Sequence, residues 1–283
     1  MRLFLFGIIA GSMVFVVFLS TGCVSTARAE STSAPAPSGS GIRLSENDAR
    51  VIGRKIWQNE CNGTVEGLTS WNRGEDFPSL GIGHFIWYVN GRTGPFQESF
   101  PQLIAYMRSR HIPVPSWILN ARGCPWPNRR EFLARQNSPR MTELRNFLAQ
   151  TVSVQTGFVV QRLENALPSM QKATSNRADR ERLRQNFYQL GQTRSGLYAL
   201  IDYVNFKGEG VKKEEKYRGQ GWGLRDVLLE MNSTRGGKAA VAEFGEAAKR
   251  VLRRRVKNSP QSRGESRWLS GWMNRCDGYK RGI

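Results

Sequence analysis

Val51, Ile52, Ile56 and Trp57 recur at helical spacing with polar residues between them, which predicts a helix over residues 45–60. Ser45 followed by Asp48 is a capping pair at its start, and Asn62-Gly63 is a stop signal beyond its end. The same periodicity predicts helices around 96–110 and over 141–166, 177–190, 223–231 and 238–257. A further helix over 196–206 opens at Ser195-Gly196 and carries Leu197, Leu200, Ile201 and Val204 on one side, the pattern of a packed central helix. Only one stretch, near 77–92, has the period of a sheet. In Ser79-Leu80-Gly81-Ile82-Gly83-His84-Phe85 an extended chain puts Ser79, Gly81, Gly83 and Phe85 on one face and Leu80, Ile82 and His84 on the other. The expected fold class is therefore α+β, mainly α, with a small β region in the N-terminal part and a helical C-terminal part. Pro113, Pro115, Pro125 and Pro127 mark the middle of the chain as rich in loops.

A chain of 283 residues with 39% apolar content can bury a substantial core, in one large or two small domains. The formal charge of +19 points to anionic partners, nucleic acid among them. No nucleic-acid motif accompanies it. Arg253-Arg254-Arg255 and the helix around Arg177 to Arg184 read as solvated faces that add to the positive field. Four scattered cysteines and only two histidines, His84 and His111, make no zinc pattern, and no cofactor is implied.

The first residues read as a targeting segment. Arg2 precedes an apolar run from Leu3 to Leu19, followed by Ser20-Thr21-Gly22-Cys23, a signal peptide over 1–23 ending in a lipobox with Cys23 as the lipidation site. Two other readings stay open: cleavage after Ala27-Arg28-Ala29 for soluble export, and retention of the run as an anchor. Residues 24–42, rich in Ser, Ala, Pro and Gly, have the composition of a flexible tether. Together they predict an outer-membrane lipoprotein facing the periplasm, held to the membrane by its lipid, with a soluble periplasmic form as the alternative. Export argues against nucleic acid as the partner, and leaves anionic envelope polymers as the natural match for the charge.

Glu60 is the first chemical candidate. It stands four residues after Ile56 and eight after Ile52, so it falls on the apolar face of the first predicted helix, in the last turn. Partial burial and the negative end of the helix dipole both disfavour a charged carboxylate, which is what a general acid working near neutral pH requires. The paired glycines downstream indicate that backbone or ligand approaches closely there, either a sugar ring or a tightly packed helix.

Glu60, the loop carrying Glu66, Glu75 and Asp76, and the Ser79–Phe85 segment together resemble the active-site lobe of phage-type lysozymes, the muramidase and lytic transglycosylase superfamily that cuts the glycan strands of peptidoglycan. A second island supports this: Ala199 to Phe206 passing into Lys207-Gly208-Glu209-Gly210 is similar to that family's central helix and following turn. The Gly219–Arg225 segment and the Pro260, Arg263, Arg267 spacing before Trp268 continue it. The likeness covers residues 48–88 and 195–279, so it implies a lysozyme-like domain over 43–283 with an insertion at about 96–190.

The resemblance implies roles. Glu60 is the proton donor, Ser79 takes the place of the family's threonine, and Gly81 and Gly83 line the sugar. Trp71, Trp87 and Tyr88 are aromatics that can stack on sugar or pack in the core. Gln220 and Trp222 are cleft candidates for hydrogen bonding and stacking, unless the three glycines around them serve only a tight turn. His84 is structural, paired in that family with a remote acid. Arg73 occupies the position of the family's second acid, which leaves Glu75 as first choice and Asp76 as reserve. Hydrolysis needs a partner acid, whereas a lytic transglycosylase manages with one, since the sugar's own hydroxyl attacks. The C-terminal segment packs near the first helix in that fold, which implies a Cys61–Cys276 disulfide. The expected activity is cleavage of peptidoglycan strands, with a catalytically silent peptidoglycan-binding scaffold as the alternative.

Overall fold

The computed structural model describes residues 41–283; the expected leader, Cys23 and nearly all of the tether lie outside them. The first helix, α1, runs Glu46–Cys61. Ser45 caps it as expected, its hydroxyl accepting from the Asp48 N–H at 3.0 Å, and Asn62 ends it in the left-handed conformation. Three two-residue strands follow, β1 Thr69–Ser70, β2 Ser79–Leu80 and β3 Phe85–Ile86, in an antiparallel sheet of order β1-β2-β3.

The continuous strand expected over Ser79–Phe85 is instead a hairpin. The chain turns at Gly81–His84, where the His84 N–H donates to Gly81 O at 3.3 Å and both residues have positive φ, +67° and +47°. Alternation was the wrong template because the two-residue strand ends at Leu80, before the first glycine.

The middle of the chain contains α2 Phe100–Ser109, the short α3 Ser116–Leu119 and α4 Arg129–Ala134, then α5 Pro139–Gln150 and α6 Val152–Lys172. The single helix expected over 141–166 is thus broken at Thr151. Its hydroxyl turns back to Phe147 O at 2.7 Å, and its backbone leaves the helical region. Arg145 on α5 is buried and ties this helix to the sheet, donating to Thr69 Oγ1 and to Gln136 O at 2.8 Å each.

Helices α7 Arg177–Gly191, α8 Arg194–Lys207, α9 Leu224–Glu230, α10 Gly237–Asn258 and α11 Leu269–Arg281 complete the fold, with a small hairpin of β4 Lys216–Tyr217 and β5 Gln220–Gly221 before α9. Thr193, rather than Ser195, caps α8 by accepting from the Gly196 N–H. Leu197, Leu200 and Ile201 are buried, and so are Tyr198, Ala199, Asp202 and Tyr203 on the other faces. Burial of every residue from Gly196 to Tyr203 makes α8 the central helix, and it packs against α1, α6, α7, α9, α10 and α11. The architecture is mainly α with a small β component, as expected, although the β4–β5 hairpin in the C-terminal part was not foreseen. No helix among the described residues is long and apolar enough to cross a membrane.

Candidate active site

Three elements meet around Glu60. It lies in the last turn of α1 with a side chain 12% exposed, and Arg275 of α11 approaches its Oε1 at 3.4 Å. Arg275 is itself held by Asp202 of the central helix, through Nε to Oδ2 and Nη2 to Oδ1, each 2.7 Å. Tyr279 donates to the same carboxylate at 2.7 Å and Tyr198 at 3.3 Å, so Asp202, only 3% exposed, has its lone pairs filled. Burial opposes the charge on Arg275, but the hydrogen bonds and charge of Asp202 outweigh it and hold the guanidinium above its ordinary value. Asn59, next to Glu60, donates to Tyr198 Oη at 2.7 Å. The last turn of α1 is therefore fixed against both α8 and α11.

On its other side α1 meets the hairpin turn. Cys61 Sγ lies 3.8 Å from Gly81 O and 3.8 Å from His84 Nε2. His84 thus packs on the Cys61 thiol and not on the remote acid that the resemblance implied. The turn is anchored from beneath by Gln155 of α6, wholly buried, whose Oε1 accepts from the Ile82 N–H at 3.0 Å while its Nε2 donates to Leu148 O.

This placement corrects the reading of the glycines. A Cβ on Gly81 would stand 2.3 Å from Gln155 Oε1, and one on Gly83 would stand 2.6 Å from the Phe85 ring. The close approach that demands glycine comes from the protein's own side chains, which leaves no need for a sugar to explain either residue. Ser79 is buried in β2 between Ser70 and Ile86. Trp71, Trp87 and Tyr88 are core residues, each 5% exposed or less.

Glu75 is half-buried, its Oε2 accepting from Asn72 Nδ2 at 3.1 Å and its carbonyl from Trp71 Nε1. Asp76 is exposed. Among the described residues no hydrogen bond or ion pair joins either carboxylate to Glu60. Both instead act with Glu98 on Tyr88, whose hydroxyl is pushed up first by burial and then by these charges.

Trp222 is not a free stacking surface. It is 4% exposed, with the Tyr217 ring 4.5 Å away and the Arg255 guanidinium 4.0 Å over its face. Gln220 is exposed at the tip of the β4–β5 hairpin, and its Oε1 accepts from Asn258 at 2.8 Å. Arg255 is drawn inward by two hydrogen bonds to the buried Glu265, and Arg254 by Glu230, so the expected solvated face of Arg253-Arg254-Arg255 reduces to Arg253.

The Cys61–Cys276 bridge is not formed. Both are free buried thiols, as is Cys124, and burial pushes each up to about 12. The neighbours in sequence meet instead, Glu60 with Arg275, and a one-residue step turns a helical side chain by about 100°. Cys276 is fully buried, and its backbone carbonyl lies against Gly245 of α10.

Comparison with protein-family models, curated proteins and solved structures found no match.

The residues that the sequence reading missed are Asp202, Arg275, Gln155 and Lys207. Asp202 had a signal: an acid directly after the apolar run Leu197 to Ile201 of a central helix needs a cation to meet it. Glu209, two residues beyond α8, is raised by burial and then by the neighbouring Glu215 carboxylate. Among the described residues no group of three or more His, Cys, Asp or Glu side chains is placed to hold a metal ion. A shallow crevice of about 510 Å³ between Val89, Trp117, Arg122, Cys124 and Arg140 belongs to the middle segment and includes none of the residues around Glu60.

Proposed function

We propose that this chain is a peptidoglycan-cleaving enzyme of lysozyme-like type, with Glu60 as the general acid that protonates the glycosidic oxygen. The supporting observation is the setting of Glu60: a nearly buried carboxyl at a helix end, facing a guanidinium locked on Asp202, with the next residue, Cys61, against the Gly-x-Gly-His hairpin. A carboxyl held in a fixed position is the geometric part of what general acid catalysis requires. Glu75 is the proposed second carboxylate for hydrolysis, with Asp76 in reserve; a lytic transglycosylase would use Glu60 alone. Cleavage takes place in the cell envelope, where the leader, Cys23 and the tether would hold the enzyme as a lipoprotein facing the periplasm.

The silent-scaffold reading draws on a specific observation too: Arg275 gives Glu60 a structural partner, and among the described residues no second acid is bonded to it. Mass spectrometry of peptidoglycan digested with purified protein separates the readings. New reducing-end sugars establish hydrolysis and anhydro-muramic ends establish transglycosylation. Absence of any soluble fragment, with retention of the protein on the wall, overturns the enzymatic reading in favour of the scaffold.

A further inference from the structure

Lys207 is the last residue of α8, and its ammonium rests on two rings, 3.5 Å from the centroid of Trp272 and 4.0 Å from that of Phe206. Two guanidiniums share those rings: Arg275 is 4.5 Å from Phe206 and Arg255 is 5.1 Å from Trp272. Each arginine has its own carboxylate, Asp202 for Arg275 and Glu265 for Arg255, in two-point hydrogen bonds. Lys207 has none, since no ion pair or hydrogen bond engages its ammonium among the described residues.

The cation is also poorly hydrated. Burial drives its proton affinity down to about 6, Arg255 and Arg275 push the same way, and Glu265 and Cys276 oppose them. A desolvated ammonium between two other cations, with only ring faces for company, costs folding energy. An incoming anion would remove that cost. The location is adjacent to the acid, because the Arg275 that touches Glu60 covers the same Phe206 ring as Lys207.

We propose that Lys207, cradled by Phe206 and Trp272, is a recognition position for a single carboxylate carried by the glycan substrate on its lactyl or peptide substituent. The neighbouring arginines are already neutralised by their own partners, so Lys207, taking up a proton as the anion docks, is left to match one negative charge. The rings suit the alkyl and sugar carbons that flank such a carboxylate. This inference rests on the glycan-cleaving reading for the identity of the ligand.

Binding separates it from that reading. The full chain and its Lys207→Met variant, which keeps an apolar stem against both rings, are titrated by calorimetry with muramyl dipeptide, which has one free carboxylate, and with its methyl ester. Hydrogen bonds to charged groups contribute about 1.5–3 kcal/mol, so the wild type should prefer the acid over the ester by about tenfold or more. Lys207→Met should bind the two alike. Equal binding of acid and ester by the wild type, or a preference that survives in Lys207→Met, overturns the proposal; failure to bind either counts as equal. A protein that shows the Lys207-dependent preference yet releases no fragment from peptidoglycan supports this site and removes the cleavage reading.

Discussion

Arg275 is held on Asp202 by two hydrogen bonds of 2.7 Å, and from that fixed position its guanidinium faces Glu60 at 3.4 Å. The central helix therefore governs a carboxyl on the first helix through a residue near the C-terminus. Removing one partner of a buried ion pair leaves the other uncompensated, at a cost of about 3–5 kcal/mol. Arg275→Met should lower stability by that amount in urea denaturation, more than Asp202→Asn does, since the partner it strands, Asp202, is the more buried of the two. Equal small losses for the two would show that the pair is not coupled as the geometry indicates.

Glu60→Gln preserves shape and removes the transferable proton, so glycan cleavage should fall about 10²- to 10⁴-fold with little change in melting temperature. Glu75→Gln should be nearly as damaging if water is the nucleophile and much milder if the sugar's own hydroxyl attacks. Turnover by Glu60→Gln close to the wild-type rate would end the assignment.

Lys207 makes stability depend on pH in a calculable direction. Its folded value of about 6 lies below the ordinary lysine value, so between the two the unfolded chain binds more protons. The penalty is full below about pH 6 and fades as pH rises towards the unfolded value. Lys207→Met removes it, so this variant should melt above the wild type at pH 5, with the gap narrowing at pH 9. Parallel melting curves across that range would refute a desolvated ammonium at this position.

Gly81→Ala sets a side chain against Gln155 at a residue with φ of +67°, and the left-handed region alone costs about 1–2 kcal/mol for a non-glycine residue. The measured loss should exceed that figure because Gln155 must also release the Ile82 N–H. In a Gln155→Ala background the additional loss should disappear, giving a clear coupling in a double-mutant cycle.

Cys61, Cys124 and Cys276 should resist alkylation in the native protein and react fully in denaturant without any reductant. Peptide mapping reads this directly. A Cys61–Cys276 peptide recovered from non-reduced protein would restore the disulfide that the geometry lacks.

Much of the helical layout was legible in the chain. Ser45 and Asn62 bracket α1 because capping is a local event, decided within three or four residues. Leu197, Leu200 and Ile201 marked α8 as central because burial on one face leaves a periodic trace. Sequence failed where a residue's meaning depends on what lies opposite it. The alternation through Ser79–Phe85 fits a strand, yet the hairpin forms because Gln155, more than seventy positions away, takes the Ile82 N–H. The break at Thr151 came from a hydroxyl turned back on its own helix, a choice that periodicity does not record.

Glu60 could be named from the sequence alone because its place, on the apolar face of a capped helix at its last turn, is written in local spacing. What only the tertiary structure decided is what Glu60 and its neighbours touch. Arg275 rather than Cys276 reaches the first helix because successive residues on α11 point about 100° apart, and only the packing of α11 against its neighbours sets which one faces α1. Packing between distant elements also sets Arg255 of α10 over Trp222 and rests Lys207 on the Trp272 ring with no counter-ion among the described residues. Local propensity selects elements one turn at a time; charge pairing and burial are sums over residues distant in the chain, and they exist only once the helices have met.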